Sequence, residues 1–171
     1  MDDAALLAEC DVHVHRASGP GGQHRNKVSS AVRLRHRSTG VTATASESRS
    51  QHDNRRTALR RLRMNLACRL RQPVCHEPLD IPPAVGDCLF APRAGRAEGP
   101  RKIRVGKRDD RFWPVAAFLL DLLDSADGRL SRAAGLLGVT TSSLAAVLRS
   151  ERHLLAAAQQ IRRRHGLKPL R

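Results

Sequence analysis

Aromatic side chains are scarce in this sequence: they make up 2% of it, with three Phe, one Trp and no Tyr. Modules that hold single-stranded nucleic acid by stacking bases on aromatic platforms need more of them, so an RRM or OB-type module is disfavoured. Acidic residues are also few, 16 against 31 Lys and Arg, which leaves a formal charge of +15 over 171 residues. The first partner to expect is therefore a polyanion, reached through its phosphates and its shape.

Cysteines and long apolar runs are limited too. The four cysteines, Cys10, Cys68, Cys75 and Cys88, form no Cys-x-x-Cys pair, and the histidines lack the spacing of a structural zinc site. We therefore predict reduced thiols, no bound metal and no cofactor. The longest apolar run, residues 115–120, is too short to cross a bilayer, and the first residues do not resemble a signal peptide. These features predict a protein of the cytoplasm with no membrane partner. A monomer is the expected state, although no feature of the sequence determines it.

Proline and glycine divide the chain into two units and a connector. The apolar fraction of 40% is sufficient for a core in each unit. Residues 73–110 hold six of the nine prolines, and such a segment has little regular structure apart from a short strand indicated at 102–105. We predict a first domain over 1–72, a basic linker over 73–110 and a second domain over 111–171.

Alternating patterns in the first domain predict a small antiparallel sheet. Residues 11–15 alternate as in a strand, and the apolar–basic alternation of 31–35 resumes at 41–45 after the turn Ser38-Thr39-Gly40. The second and third strands thus form a hairpin with one buried and one basic face.

A helix is predicted after the hairpin. Ser50 and Asp53 resemble a capping box, with Asp in place of the usual Glu or Gln. The predicted core stripe is Leu59, Leu62, Leu66 and Leu70. The arginines lying mainly off this stripe, which form a solvated or RNA-facing surface, are Arg55, Arg56, Arg60, Arg63 and Arg69.

The second domain is predicted to be a three- to four-helix bundle. Its first helix opens at Trp113-Pro114, with the proline at the first helical position. Residues 130–148 resemble a helix-turn-helix, with Ala134 at the helix contact and Gly138 at the turn. Such a bundle is a structural module, an RNA-backbone binder or a DNA reader; direct base readout is disfavoured because the second helix offers short Thr and Ser side chains.

The last predicted helix spans 153–165, stops at Gly166 and ends in a basic tail suited to phosphate. The candidate RNA-binding residues of this tail are Arg162, Arg163, Arg164, Lys168 and Arg171. The fold class is therefore α+β: a small antiparallel sheet with a packed helix, then a linker and an all-α, helix-turn-helix-like bundle.

The segment Gly19-Pro20-Gly21-Gly22-Gln23 has the composition of a loop that could carry chemistry. Adjacent glycines adopt positive φ and expose backbone amides that can point at an oxyanion. The Gln23 amide is useless as a general base near neutral pH, so chemistry here would rest on positioning and electrostatics. A surface turn is the alternative for such a segment taken alone.

The surroundings of this loop make it specific. Residues 16–36, with Thr39-Gly40 and 48–55, resemble the catalytic domain of bacterial class I peptide chain release factors and their codon-independent ribosome-rescue relatives. The match covers roughly residues 9–72 in both order and spacing. The resemblance implies an enzyme that hydrolyses the ester between peptide and tRNA at the peptidyl transferase centre of the large ribosomal subunit.

The resemblance also implies roles for individual residues. Gly21 and Gly22 shape the loop, and the Gln23 backbone N–H stabilises the transition state or the leaving group. The Gln23 side chain excludes nucleophiles other than water and is a candidate for N5-methylation. The implied contacts with 23S rRNA and the tRNA end are Arg16, Ser18, Gly19, Pro20, His24, Arg25, Asn26, Lys27, Arg55 and Arg56.

Two departures from the family pattern shape the expected function. About ten residues precede the resembling segment, so we expect no codon recognition of the usual kind. The linker and helical unit replace a simple basic tail, so the mRNA channel or an accessory rescue factor is a further candidate partner. The alternatives are a non-catalytic ribosome- or RNA-binding factor and a helix-turn-helix DNA-binding regulator.

Overall fold

The computed structural model describes residues 3–16, 29–91 and 99–170. The chain divides into two units, Met1–Leu66 and Ala67–Arg171. Within the described ranges, no helix is both long enough and apolar enough to cross a membrane. All four cysteines are free thiols.

Unit 1 contains helix α1 (Asp3–Ala8) and an antiparallel sheet ordered β1 (Cys10–His15), β2 (Ala31–His36) and β3 (Thr42–Ala45). The predicted strand and hairpin are therefore confirmed. Alternation along β2 buries Val32 and Leu34, which pair with Ala45 and Ala43 of β3, and exposes Arg33 and Arg35 on the other face. One face is apolar and the other basic because successive side chains of a strand point in opposite directions.

Helix α2 (Gln51–Arg69) is the long helix of the first half of the chain. Leu59 and Leu62 are buried, as predicted, whereas Leu66 is half-buried and Leu70 lies beyond the end of the helix. Two α2 side chains bond to β3: Arg61 Nη1 donates to the Thr44 carbonyl at 2.6 Å, and Asn65 Nδ2 donates to the Thr42 carbonyl at 2.8 Å. The helix is thus held to the sheet by polar as well as apolar contacts.

Four helices dominate unit 2: α4 (Phe112–Ser125), α5 (Leu130–Leu137), α6 (Thr141–Arg149) and α7 (Arg152–Arg164), preceded by the short α3 (Pro83–Gly86). Helix α4 begins at Phe112, so Pro114 lies in the first turn, where an absent N–H breaks no intrahelical bond. Gly138 ends α5 in the left-handed conformation with φ of 67°. The predicted turn of the helix-turn-helix is therefore confirmed.

The Pro- and Gly-rich segment 73–110 contributes to the core of unit 2 through its described residues. It holds α3 and a two-stranded ribbon of β4 (Leu89–Phe90) and β5 (Lys102–Ile103), which agrees with the predicted short strand at 102–105. Val85, Cys88 and Ile103 are each 2% exposed or less and belong to the same core as the helices. Composition gave no sign of this packing because isolated apolar residues carry no helical or strand period.

Candidate functional site

The two ends of the glycine-rich segment meet at one end of the sheet. In the antiparallel register His15 of β1 lies opposite Ala31 of β2, and this is the last pair of the ladder. The connection over residues 16–30 therefore leaves the end of β1 and returns to the start of β2, its neighbour in the sheet. Arg16, at its start, is described and exposed. The other site residues predicted on this connection lie outside the described residues: Ser18, Gly19, Pro20, Gly21, Gly22, Gln23, His24, Arg25, Asn26 and Lys27.

The return end of this connection is anchored by Asn54 of α2, which is 1% exposed. Its Nδ2 donates to the carbonyl of Ser30 at 2.7 Å and to that of Ser48 at 2.8 Å, while its Oδ1 accepts from the Ser48 N–H at 3.0 Å. Three of the four hydrogen bonds that an amide side chain can make are thus present. This network ties the residue before β2 to the beginning of α2. Asn54 carries no distinguishing signal in the sequence, since a polar residue five positions ahead of a leucine stripe resembles a solvated one.

Serines and Asp53 cap the beginning of α2. The Ser50 hydroxyl accepts from the Asp53 N–H at 3.2 Å, as a capping residue should. The Asp53 carboxylate accepts from the Ser48 hydroxyl at 3.3 Å, whereas in a full capping box it would reach back to the Ser50 N–H, whose acceptor here is Ser48 Oγ at 3.0 Å. The side chain of Asp53 is one methylene shorter than that of a Glu, so the capping box here is a variant in which Ser48 takes the place of the Asp53 carboxylate as acceptor from the Ser50 N–H.

The two arginines predicted as RNA contacts on α2 have different environments. Arg56 is exposed, while Arg55 is half-buried, and its Nε atom is buried with no hydrogen-bond partner among the described residues. A buried guanidinium donor without a partner is costly. Arg56 can contact phosphate without rearrangement.

The solvent face of the sheet adds cationic residues that the predicted site did not include. Arg33 lies between His13 and Thr44 across the sheet, and Arg35 follows on the same face, all of them exposed. The basic alternation of β2 was the signal for this face. It presents positive charge on the same domain as the glycine-rich segment, a favourable arrangement for a phosphate backbone.

The predicted basic tail is only partly available to a ligand. Arg162 is engaged within the fold: it donates to the carbonyl of Gly128 at 2.6 Å and, through Nε and Nη2, to that of Lys168 at 2.9 and 2.7 Å. Arg164 contacts Asp124 at 3.5 Å. Arg163 and the side chain of Lys168 are exposed, and Arg171 lies outside the described residues.

No three His, Cys, Asp or Glu side chains of the described ranges come together in a group that could hold a metal ion.

Comparison with known proteins assigns the domain that carries this arrangement. Residues 6–77 match the model of the RF-1 domain. The chain is 51% identical over 59 residues to peptide chain release factor 1 of Acidiphilium cryptum, a match that covers 34% of the chain and 17% of the relative. It is 49% identical over 70 residues to peptide chain release factor 2 of Buchnera aphidicola (39% and 19%) and 54% identical over 55 residues to that of Lactiplantibacillus plantarum (32% and 15%).

These matches span less than a fifth of each of those release factors. The RF-1 domain matched by residues 6–77 includes β1, β2, β3 and α2. Residues 6–77 of this chain belong to the RF-1 domain family.

Proposed function

We propose that this protein hydrolyses the ester that joins a nascent peptide to tRNA, acting at the peptidyl transferase centre of the large ribosomal subunit. The observation that carries the proposal is the coincidence of the RF-1 domain with an intact Gly21-Gly22-Gln23, borne on a connection whose two ends are paired at His15 and Ala31. A connection with both ends fixed on neighbouring strands can extend a short segment into a narrow site while the rest of the domain stays outside it.

The proposed reaction needs no group that titrates near neutral pH. Water attacks the ester carbonyl carbon, the bond from that carbon to the tRNA 3′-oxygen breaks, and a proton from the water ends on the 3′-oxygen. The Gln23 backbone N–H donates to the oxygen on which negative charge develops, and Gly21 and Gly22 allow that N–H to approach. The Gln23 side chain admits water and excludes larger nucleophiles, and it is the proposed site of N5-methylation.

Binding to ribosomal RNA, the 23S rRNA in particular, is assigned to cations of the RF-1 domain. The proposed contacts are Arg16 at the start of the connection and Arg55 and Arg56 in the first turns of α2, together with the polar and basic residues of the connection. The exposure of Arg16 and Arg56 supports this assignment. Each Lys or Arg that neutralises a phosphate contributes to affinity and makes it depend on salt.

We also propose that release is codon-independent and rescues stalled ribosomes in the cytoplasm. The support is the exposure of Arg163, in the last turn of α7, and of Lys168 beyond it; both lie outside the matched domain and could contact RNA phosphates in a vacant mRNA channel. Arg162 instead contributes by holding the tail against Gly128. An accessory rescue factor bound to the helical unit is the alternative means of recruitment.

The decisive experiment measures release of formylmethionine from formylmethionyl-tRNA on ribosomes whose mRNA is truncated at the P site. The wild type should release it, and Gln23→Ala should not, although both should sediment with ribosomes. Gln160→Ala is the matched control because Gln160 is an exposed glutamine on α7. A stop codon or a sense codon in the A site should add nothing to release if the activity is codon-independent.

Two other outcomes of this experiment would count against the proposed hydrolysis. Equal release by wild type and Gln23→Ala would overturn the assignment of the loop. Ribosome binding without release by the wild type would favour the non-catalytic RNA-binding factor.

A further inference from the structure

Unit 2 brings a basic strand against the helix-turn-helix. The Arg101 N–H donates to the carbonyl of Gly138 at 2.9 Å, and the Thr140 N–H donates to the carbonyl of Arg101 at 3.0 Å. Arg101, just before β5, is thus bonded to both Gly138 and Thr140 in the turn between α5 and α6. The Ile103 N–H lies 3.4 Å from Ser143 Oγ on α6. These hydrogen bonds make segment 101–104 part of the helix-turn-helix surface, although 40 residues of sequence separate Ile103 from Ser143.

Within this segment, residues 102–104 contribute one buried apolar side chain and two exposed cationic ones. Ile103 is 2% exposed and joins the core of the unit, while Lys102 and Arg104 on either side of it are exposed. Because side chains alternate along a strand, Lys102 and Arg104 share the face that points away from the core. They adjoin Ile103, whose N–H lies 3.4 Å from Ser143 Oγ in the first turn of α6, where Thr141 and Ser142 are also exposed.

The two segments that build this surface contain no acidic residue. Residues 99–108 carry five cations and residues 128–150 carry three. Four acids adjoin the ends of these segments: Asp109, Asp110, Asp127 and Glu151. Three of them are paired, Asp109 with Arg111 at 2.7 Å, Asp127 with Arg132 at 2.7 Å and Glu151 with His153 at 2.9 Å. The positive potential at Lys102 and Arg104 is thus not cancelled from within their own segments.

We propose that Lys102, Arg104 and the exposed first turn of α6 form a binding surface for the sugar–phosphate backbone of double-helical RNA. The cations supply phosphate contacts, and the hydroxyls of Thr141 and Ser142 suit the 2′-hydroxyls that line the wide minor groove of A-form RNA. Readout of bases in a DNA major groove uses long, forked side chains. Of the exposed residues of α6, which are Thr141, Ser142, Ala146 and Arg149, three are short.

This surface lies outside residues 6–77 and is independent of the proposed hydrolysis. It assigns the helical unit a role of its own, namely RNA binding by shape and charge. Peptide release and duplex binding can accordingly be lost separately.

The test measures binding of the full chain to a fluorescent RNA duplex of about 20 base pairs, longer than the ~16 base pairs that a compact double-strand-binding domain covers. A DNA duplex of the same sequence is measured in parallel, each over a series of salt concentrations. Lys102→Ala/Arg104→Ala should weaken RNA binding about tenfold or more and lower the slope of log affinity against log salt by about 2, one unit for each phosphate contact.

Lys102→Ala and Arg104→Ala are also measured singly, and their matched control is Arg152→Ala, which removes the same charge from an exposed site of unit 2. Arg152 follows the far end of α6, so the control leaves the first turn untouched. Lys102→Gln/Arg104→Gln, which keeps the aliphatic stems, should reproduce the loss if charge is the cause. Circular dichroism establishes that each variant is folded.

Three outcomes would overturn the proposal. The wild type could fail to bind the RNA duplex, the control could lose as much affinity as the Lys102 and Arg104 variants, or the DNA duplex could bind as tightly as RNA. The last result would mean that the surface binds the phosphates of either duplex without preference for RNA.

Discussion

Asn54 donates a 2.7 Å hydrogen bond to the carbonyl of Ser30, and through it the second turn of α2 holds the chain where the glycine-rich connection re-enters the sheet. The bond spans 24 residues, and Asn54 is 1% exposed. A buried amide with three hydrogen bonds is a strong geometric constraint because each lost partner leaves an unsatisfied polar group. The position of the loop stem is therefore determined by a helix that follows it in sequence.

Asn54→Ala should lower the stability of the RF-1 domain by about 1–3 kcal/mol, since the Ser30 and Ser48 carbonyls lose their donor. Hydrogen exchange of the β2 amides would measure the loss. Because misplacement of a reacting group by about 1 Å costs up to ~100-fold in rate, the release rate at saturating ribosomes should fall by tenfold or more while the half-saturating ribosome concentration is unchanged.

Asn65→Ala is the matched control for Asn54→Ala. Asn65 donates to the carbonyl of Thr42 at 2.8 Å from the same helix, but at the end of the sheet far from the connection. It should reduce stability and leave the release rate near that of the wild type. If both variants slow release equally, the effect of Asn54 is one of stability alone.

Glu151→Gln should destabilise unit 2 by about 1 kcal/mol at neutral pH. The Glu151 carboxylate caps α7, accepting from the N–H groups of His153 at 2.7 Å and Leu154 at 2.9 Å. Burial pushes the pKa of Glu151 up, but the hydrogen bonds from Leu154 and His153 outweigh it and hold that pKa below the ordinary 4.5. The folded state thus favours the charged form, and the stabilisation is complete above pH 4.5.

The advantage of the wild type over Glu151→Gln should therefore shrink as the pH falls below 4.5 and disappear below the lowered pKa. Urea unfolding followed by the fluorescence of Trp113, the only tryptophan of the sequence, reports on this unit. Asp127→Asn, which removes an exposed carboxylate paired with Arg132, should change stability by less than about 1 kcal/mol. A difference between wild type and Glu151→Gln that persists undiminished at pH 3 would contradict a charged cap.

Gly128→Ala should destabilise unit 2 more than Gly166→Ala. Both glycines have positive φ, 70° and 68°, which costs an L-residue about 1–2 kcal/mol. A Cβ at Gly128 would lie 3.2 Å from Arg162 Cα and 3.3 Å from Leu167 Cδ1, whereas at Gly166 it would meet nothing. We expect an additional loss of about 1–3 kcal/mol for Gly128→Ala, measured by unfolding with Trp113 fluorescence. Equal losses of stability in the two variants would mean that Arg162 and Leu167 move away from residue 128 at no cost in free energy.

Thiol labelling at pH 8 should modify Cys75 first, because it is the exposed cysteine, and Cys10 and Cys88 only on unfolding, because they are buried. Burial raises the pKa of Cys68 to about 11, so about a thousandth of it is thiolate at pH 8 and it should react slowly. Mass spectrometry of peptides from a time course gives the order. Cys75→Ser should remove the fast phase, and a fast phase that remains would indicate that Cys68 is accessible.

Local sequence patterns sufficed for the strands, the hairpin turn, the helix-turn-helix and the loop motif. Alternation along 31–35, the turn at Gly40 and the αL glycine at Gly138 each express a preference of the chain within a few residues. The motif around Gly21-Gly22-Gln23 is likewise contiguous, so the RF-1 domain was recognisable without coordinates. Roles predicted for the residues of that motif stay predictions.

Only the tertiary structure decided which isolated residues have partners. Asn54 resembles a solvated residue in the sequence and is buried against Ser30; Arg162 resembles a ligand contact and is bound to the Gly128 carbonyl. Ile103, whose short strand is visible in the sequence, belongs to the core of the helical unit, and its N–H lies 3.4 Å from Ser143 of α6. Composition and periodicity describe near neighbours along the chain, whereas burial and hydrogen bonding depend on atoms contributed by residues tens of positions away.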